Sequence, residues 1–225
     1  MANKTKIREM AKLLGIQVIA DKKFDLKESE DSNLEYLQFV FEKELDARRQ
    51  NSIAKIRKAS NLPTLVFDNG RLHEGIQYQV SNLLLYNWIE QSKNLLIIGE
   101  CMSGKTTIAA HLAESAIDKE FKVFYLKLEE LLLVIKNKDT LKKAKATFNR
   151  IRNIDLLVLD EFFYLDQSRE DLALIYKTLM GINETTSIIF ISNREPSEWI
   201  AGTEDKYTMQ LLIQRAIASS EVIKL

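Results

Sequence analysis

Apolar residues in this chain recur with two different periods, and the change between them divides it. From residue 34 to 56 the apolar positions Leu34, Leu37, Phe41, Leu45, Ile53 and Ile56 fall at helical intervals. Spacings of three and four place such residues on one face of a helix. Ser32 and Glu35 stand at capping-box spacing at its start, and Asn61-Leu62-Pro63 stops it after Ala59. A shorter stretch, Ile7, Met10, Leu13 and Leu14, predicts a small helix ahead of it, followed by a solvated charged linker over residues 21–31.

From Leu65 onward, short aliphatic runs alternate with helical patterns. The runs at 94–98, 121–126, 154–159, 186–192 and 222–225 predict strands. Between them, Ile108, Leu112, Ala116 and Ile117 mark one helix, and Leu172, Ile175, Tyr176 and Leu179 mark another that opens at Ser168. Leu141, Ala144, Phe148 and Ile151 mark the inner face of a third, and Met209, Leu212, Ile213 and Ala216 that of the last. Strands and helices in alternation predict an α/β fold with a central parallel sheet covered on both faces. The expected division is a helical region over 1–62 and an α/β domain over 63–225.

Charge and composition narrow the function classes. Thirty-two basic residues balance thirty-two acidic ones, so any nucleic-acid contact must come from local patches. Cys101 is the single cysteine, which excludes an internal disulfide and suits a reducing compartment. The N-terminus is polar and charged, unlike a signal peptide, and no apolar run approaches the length of a membrane span. A cytoplasmic protein with no membrane role is expected. His73 and His111 lack metal-ligand spacing, and Trp88 and Trp199 read as packing aromatics.

The chemistry concentrates after the first predicted strand. Gly99-Glu100-Cys101-Met102-Ser103-Gly104-Lys105-Thr106 has the spacing G-x-x-x-x-G-K-[ST], and Thr107 follows it into a helix. A strand, a glycine turn and a helix in that order form a phosphate loop: backbone N–H groups surround phosphate oxygens at a helix N-terminus. Lys105 would reach the outer phosphates and Thr106 would hold Mg²⁺. Met102 occupies a position where another glycine is common, so the loop must turn there without glycine's freedom. Cys101 reads either as a small filler or as an oxidation-sensitive thiol.

The strand at 154–159 runs into the acid pair Asp160-Glu161. Paired with a phosphate loop, Asp160 suits Mg²⁺ coordination, and Glu161 suits proton acceptance from an attacking water. The run at 121–126 falls between the two motifs, leaving room for the extra strand that separates them in such ATPases. Asn193, ending the next strand, reads as a γ-phosphate sensor or as a turn residue. Arg215 on the last helix reads as a surface residue or as an arginine projecting into a neighbouring subunit's site.

Two basic clusters remain. Arg48, Arg49, Lys55, Arg57 and Lys58 crowd the end of the long helix, and residues 136–152 hold Lys142, Lys143, Lys145 and Arg150 among seven cations against Asp139. Each is either a solvated face or a contact for DNA or an acidic partner.

With these residues placed, the chain resembles the IstB/DnaC-like ATP-binding family, a branch of the AAA+ ATPases. The resemblance rests on the phosphate loop, the run ending at Asp160-Glu161, and Ser192-Asn193-Arg194-Glu195-Pro196-Ser197-Glu198-Trp199, which is similar to a segment of transposition helper ATPases. The arginine-rich helix with Arg48-Arg49 is similar to their N-terminal part. The resemblance implies a P-loop NTPase of AAA+ type, a three-layer sandwich around a parallel sheet, preceded by a small helical DNA- or partner-binding region. It implies ATP and Mg²⁺ bound by residues 99–107 with Asp160, and water activated by Glu161. It also implies Asn193 as sensor and Arg215 acting in trans. The implied activity is ATP-dependent homo-oligomer assembly on DNA, duplex rather than single-stranded, recruiting or stimulating a transposase. A helicase loader acting on a replicative helicase and a weakly hydrolysing ATP-bound adaptor are the alternatives. The chain differs from the family pattern at Met102, at Gln214 before Arg215, and at Phe162-Phe163, and it stops at Leu225, ahead of the family's usual closing segment with a second sensing arginine.

Overall fold

A computed structural model describes residues 4–21, 33–182, 184–218 and 220–225. The chain divides into two compact units, Met1–Lys55 and Ile56–Leu225, and the division falls within the long helix. Ser32 and nearly all of the charged stretch after Asp21 lie outside the described residues, as do the side chains of Leu34 and Leu37.

In the first unit, helices α1 (Lys4–Leu13) and α2 (Gln17–Ala20) precede α3 (Asn33–Ala59). In the first half of α3 the inward face is not the one that its bulkiest apolar residues predict. Val40 and Glu44 are buried, whereas Phe41 and Leu45 are exposed; farther along, Ile53 is buried and Ile56 half-buried, as expected. One position along a helix is a rotation of about 100°, so in that first half the buried stripe lies one step away from the expected one. The reason is polar: Glu44 accepts the Val18 N–H at 3.0 Å and the Arg48 Nε–H at 2.6 Å. Burial alone would raise the Glu44 pKa, but these donors hold it below the ordinary value. On α1 likewise, Ala11 is buried while Met10, Leu13 and Leu14 are exposed.

The second unit is built on five parallel strands: β1 (Leu95–Ile98), β2 (Val123–Lys127), β3 (Leu156–Asp160), β4 (Ser187–Ser192) and β5 (Glu221–Lys224). Their order in the sheet is β2-β3-β4-β1-β5. The strand standing between the phosphate-loop strand β1 and the acid strand β3 is therefore β4, and β2 lies at the sheet edge. All residues of β1, β3 and β4 are buried, which is why they read as continuous aliphatic runs and not as alternation.

Alternation still sorts the two faces of the sheet. Leu96, Ile98, Phe124, Leu126, Leu157, Leu159, Ile188 and Phe190 join one core with side chains of α7 (Leu128–Asn137), α9 (Arg169–Ile182) and α11 (Lys206–Leu212). The opposite face is covered by α6 (Lys105–Asp118), which buries Ile108, Ala109, Leu112, Ala113, Ala116 and Ile117. Each such isoleucine or leucine contributes about 1.5–3 kcal/mol by leaving water, and each alanine methyl less than about 1 kcal/mol. Also in this unit are α4 (Glu74–Leu83), α5 (Asn87–Glu90), α8 (Lys142–Ile151), α10 (Pro196–Ala201) and a π turn at Ile213–Ile217. Leu141 does not extend the inner face of α8. It is the extended N-cap residue and is exposed, while Ala144 and Ile151 are buried.

Asn94 shows how a buried polar residue fixes this arrangement. Its Nδ2 donates to the Ala216 carbonyl at 2.9 Å and its Oδ1 accepts the Ile188 N–H at 2.8 Å. It ties the start of β1 to β4 and to the π turn. Asn94→Ala leaves the buried Ile188 N–H without that acceptor, while the Ala216 carbonyl keeps Ser220 Oγ at 2.9 Å, and about 1–3 kcal/mol of stability should be lost in urea unfolding.

Candidate nucleotide site

The loop between β1 and α6 takes its shape from two left-handed residues, Met102 at φ 65° and Gly104 at φ 96°. Glycine adopts that conformation freely; for Met102 it costs on the order of 1–2 kcal/mol. Met102 meets this cost while remaining almost fully exposed at 98%, so the missing glycine does not prevent the turn. Gly99 cannot be replaced in the same way: a Cβ there would lie 2.6 Å from the Leu225 carbonyl and 2.8 Å from Ser103 Oγ.

Three features of the loop fit a bound phosphate group. Lys105 is buried at 9% exposure, and its ammonium donates only to the carbonyls of Gly99 (2.9 Å) and Glu100. No carboxylate pairs with it among the described residues. Ser103 Oγ is buried without a hydrogen-bond partner. Gly104, the N-cap of α6, supplies no side-chain cap to the helix N-terminus, leaving its positive end to an anion. A buried ammonium, an orphaned hydroxyl and an uncapped helix start are together costly unless an oxyanion completes them.

The acid strand reaches the loop across β4. Thr106 Oγ1 donates to Asp160 Oδ2 at 2.9 Å, and the Tyr125 hydroxyl donates to the same oxygen at 2.8 Å. Burial and then the neighbouring Asp160 push the Tyr125 pKa well above its ordinary value, so the hydroxyl remains the donor. Glu161 is at φ 53° and Phe163 at φ 50°. These turns break the strand alternation just after Asp160 and leave Glu161 exposed, with Phe162 and Phe163 fully buried. Phe162 packs on Phe190 and Trp199 with centroid distances of 4.6 and 5.3 Å, and Phe163 on Trp199 at 5.5 Å. This aromatic lock offsets the backbone strain, which is of order 1–3 kcal/mol per residue. Lys127, paired in register with Asp160, donates to Glu161 Oε1 at 2.6 Å. That carboxylate raises the Lys127 pKa.

Together Cys101, Met102, Lys105, Thr106, Asp160, Glu161 and Asn193 line one cleft of about 360 Å³. Asn193 enters it from the end of β4, between the two motifs. The segment after it braces the wall: Arg194 donates to Asp166 Oδ1 at 2.7 Å and to the Glu198 carbonyl at 2.9 Å, and Trp199 donates to Ser192 Oγ at 3.3 Å.

Not every predicted residue comes to the cleft. Thr107 does not line it, nor does Arg215, which is exposed on the π turn. Arg48 is engaged within the first unit, by Glu44 and by the Gly15 carbonyl at 3.0 Å, and Arg49 is exposed on the same helix. Lys142, Lys143 and Lys145 are exposed on α8, while Arg150 is partly withdrawn over the Phe124 ring at 4.7 Å. His111 stacks on Phe67 at 3.9 Å and His73 caps α4. Tyr125 and Lys127 escape a reading by motif, because only the pairing of β2 with β3 brings them to the acid pair; their alternate positions on an aliphatic strand are the sole local sign.

The IstB-like ATP binding protein family matches residues 4–225. The chain belongs to this family. Within it, the chain is similar to an IS21-like insertion-sequence ATP-binding protein of Bacteroides fragilis, 29% identical over 207 residues that cover 89% of this chain and 79% of that one. A second such protein, from Bacteroides fragilis strain YCH46, is 30% identical and is covered to 92%. Among solved structures, the DnaC helicase loader superposes with a TM-score of 0.56 at 14% identity, covering 76% of this chain and 98% of that one. AMPPCP-bound DnaA of Aquifex aeolicus superposes with a TM-score of 0.53 at 17% identity over 72% of this chain, which spans about half the length of that protein. The fold is thus that of the AAA+ P-loop ATPases, as the strand order and the phosphate loop indicate. Among the described residues no helix of this IstB-like protein is long and apolar enough to cross a membrane.

Proposed function

We propose that this IstB-like chain binds and hydrolyses ATP with Mg²⁺ while assembled as a homo-oligomer on duplex DNA, and that the assembly recruits or stimulates the transposase of an insertion sequence. The observation that carries the catalytic half is the meeting of Thr106 Oγ1 with Asp160 Oδ2 at 2.9 Å, which joins the phosphate loop to the acid strand at one point. Mg²⁺ held by Thr106 and Asp160 would supply positive charge to the phosphate oxygens. Lys105 neutralises charge on the transferred group from inside the loop. Glu161 accepts the proton of the attacking water once it leaves Lys127, and Asn193 orients the open end of the cleft. Arg215 is exposed and away from its own cleft, the placement that action on a neighbouring copy requires.

The DNA half is supported by the insertion-sequence relatives and by the outward lysines Lys142, Lys143 and Lys145 of α8. Phosphate release measured with increasing duplex DNA tests the whole. Duplex of any sequence should raise turnover, and the stimulation should fall as salt rises. Stimulation by single-stranded DNA alone, with capture of a replicative helicase, would overturn the reading in favour of a loader.

A further inference from the structure

A second cleft, of about 440 Å³, opens beside the edge strand β2 and shares no lining residue with the nucleotide site. Lys58 at the end of α3, and Lys143 and Arg150 of α8, place three cations around it. Its one carboxylate, Glu130, accepts the Lys127 N–H at 2.8 Å. Among the described residues, none of the three cations forms an ion pair.

Neighbouring cations are treated differently. Arg57, one residue before Lys58, is bound by Glu114 at 2.8 Å and Asp118 at 2.7 Å, and Lys136 pairs with Asp171 at 2.6 Å. Arg150 instead lies over the Phe124 ring, and burial lowers its pKa. A guanidinium drawn from water without a carboxylate is a cost that folding alone does not recover. Lys142 and Lys143 add to it: they stand in the first turn of α8, which has no acidic residue and where the helix dipole opposes positive charge.

The chemistry of the walls selects among anions. The cleft is larger than a single phosphate requires, and its apolar lining, Phe124, Leu126 and Val134, suits a sugar ring better than a second charge. A guanidinium stacked on an aromatic ring keeps its N–H edge for phosphate oxygens. Lys142 and Lys145 are exposed on the same helix, so the positive charge continues beyond the cleft, as a chain of regularly spaced phosphates needs. We infer that this cleft seats the sugar–phosphate backbone of a nucleic-acid strand, with Lys58, Lys143 and Arg150 on its phosphates. The inference deepens the DNA-helper reading and rests on it.

The test is the salt dependence of binding by the full chain to a labelled random-sequence duplex, followed by anisotropy between about 50 and 200 mM salt. Lys58→Gln/Lys143→Gln, two exposed positions, should lower the slope of log K against log salt by about 1.8, and Arg150→Gln by about 0.9. Lys177→Gln, an exposed lysine of α9 that does not line the cleft, should leave it unchanged. Equal melting temperatures show that the variants are folded, and the double variant carries the test if Arg150→Gln is not. A loss confined to a single-stranded probe keeps the site and assigns it to that form. Wild-type slopes in the cleft variants overturn the site and leave the DNA-helper reading standing, whereas no duplex binding by wild type overturns both. Unchanged DNA slopes with lost binding of a polyglutamate peptide overturn the site in favour of an acidic protein partner.

Discussion

Glu161→Gln is expected to lower ATP turnover by about 10²–10⁴-fold, the usual contribution of a positioned general base, while nucleotide affinity changes little. The amide keeps the size of the side chain but cannot accept the water's proton. Stability should hold within about 1 kcal/mol, because the one ion pair lost, to Lys127, lies between side chains 47% and 45% exposed and such pairs contribute little. Steady-state phosphate release together with equilibrium binding of a fluorescent nucleotide checks this. If wild type and variant turn over equally slowly, the nucleotide is a structural ligand and the adaptor alternative holds.

The second large effect is that of Lys105→Ala. Its ammonium touches only carbonyls of its own loop, so no carboxylate is orphaned by its removal and the fold should survive. What is lost is the charge facing the phosphates. Removing one such preorganised donor costs about 10²–10³ in turnover, and here nucleotide affinity should fall as well. The two variants thus separate in the same pair of measurements: Glu161→Gln keeps binding and loses chemistry, whereas Lys105→Ala loses both. Full nucleotide affinity in Lys105→Ala would remove the phosphate loop from the site.

Much of the second unit was legible residue by residue. Each of the five strands was expected within a few residues of its place, because buried parallel strands are dense aliphatic runs bounded by polar turns. Ser168 opens α9 as its position suggests, its Oγ accepting the Asp171 N–H at 3.1 Å. The first unit was less legible. Val40 and Phe41, or Glu44 and Leu45, offer two candidate faces to the first half of one helix, and there apolar spacing chose the wrong one, although at Ile53 it named the buried position. The buried Glu44 is favoured only by donors from elsewhere in the chain, Val18 among them, which no local pattern encodes.

The chemistry-bearing motifs belong to the sequence by itself: a glycine turn between strand and helix, and two acids where an aliphatic run ends. Both depend on neighbours within a few residues, so local order is enough to read them. Only the tertiary structure decided that β4 separates them, that Thr106 meets Asp160, that Lys127 holds Glu161, and that Lys58 shares a cleft with Arg150. Parallel strands pair through hydrogen bonds between distant segments, and the order and register of that pairing follow from packing the whole sheet between its helices.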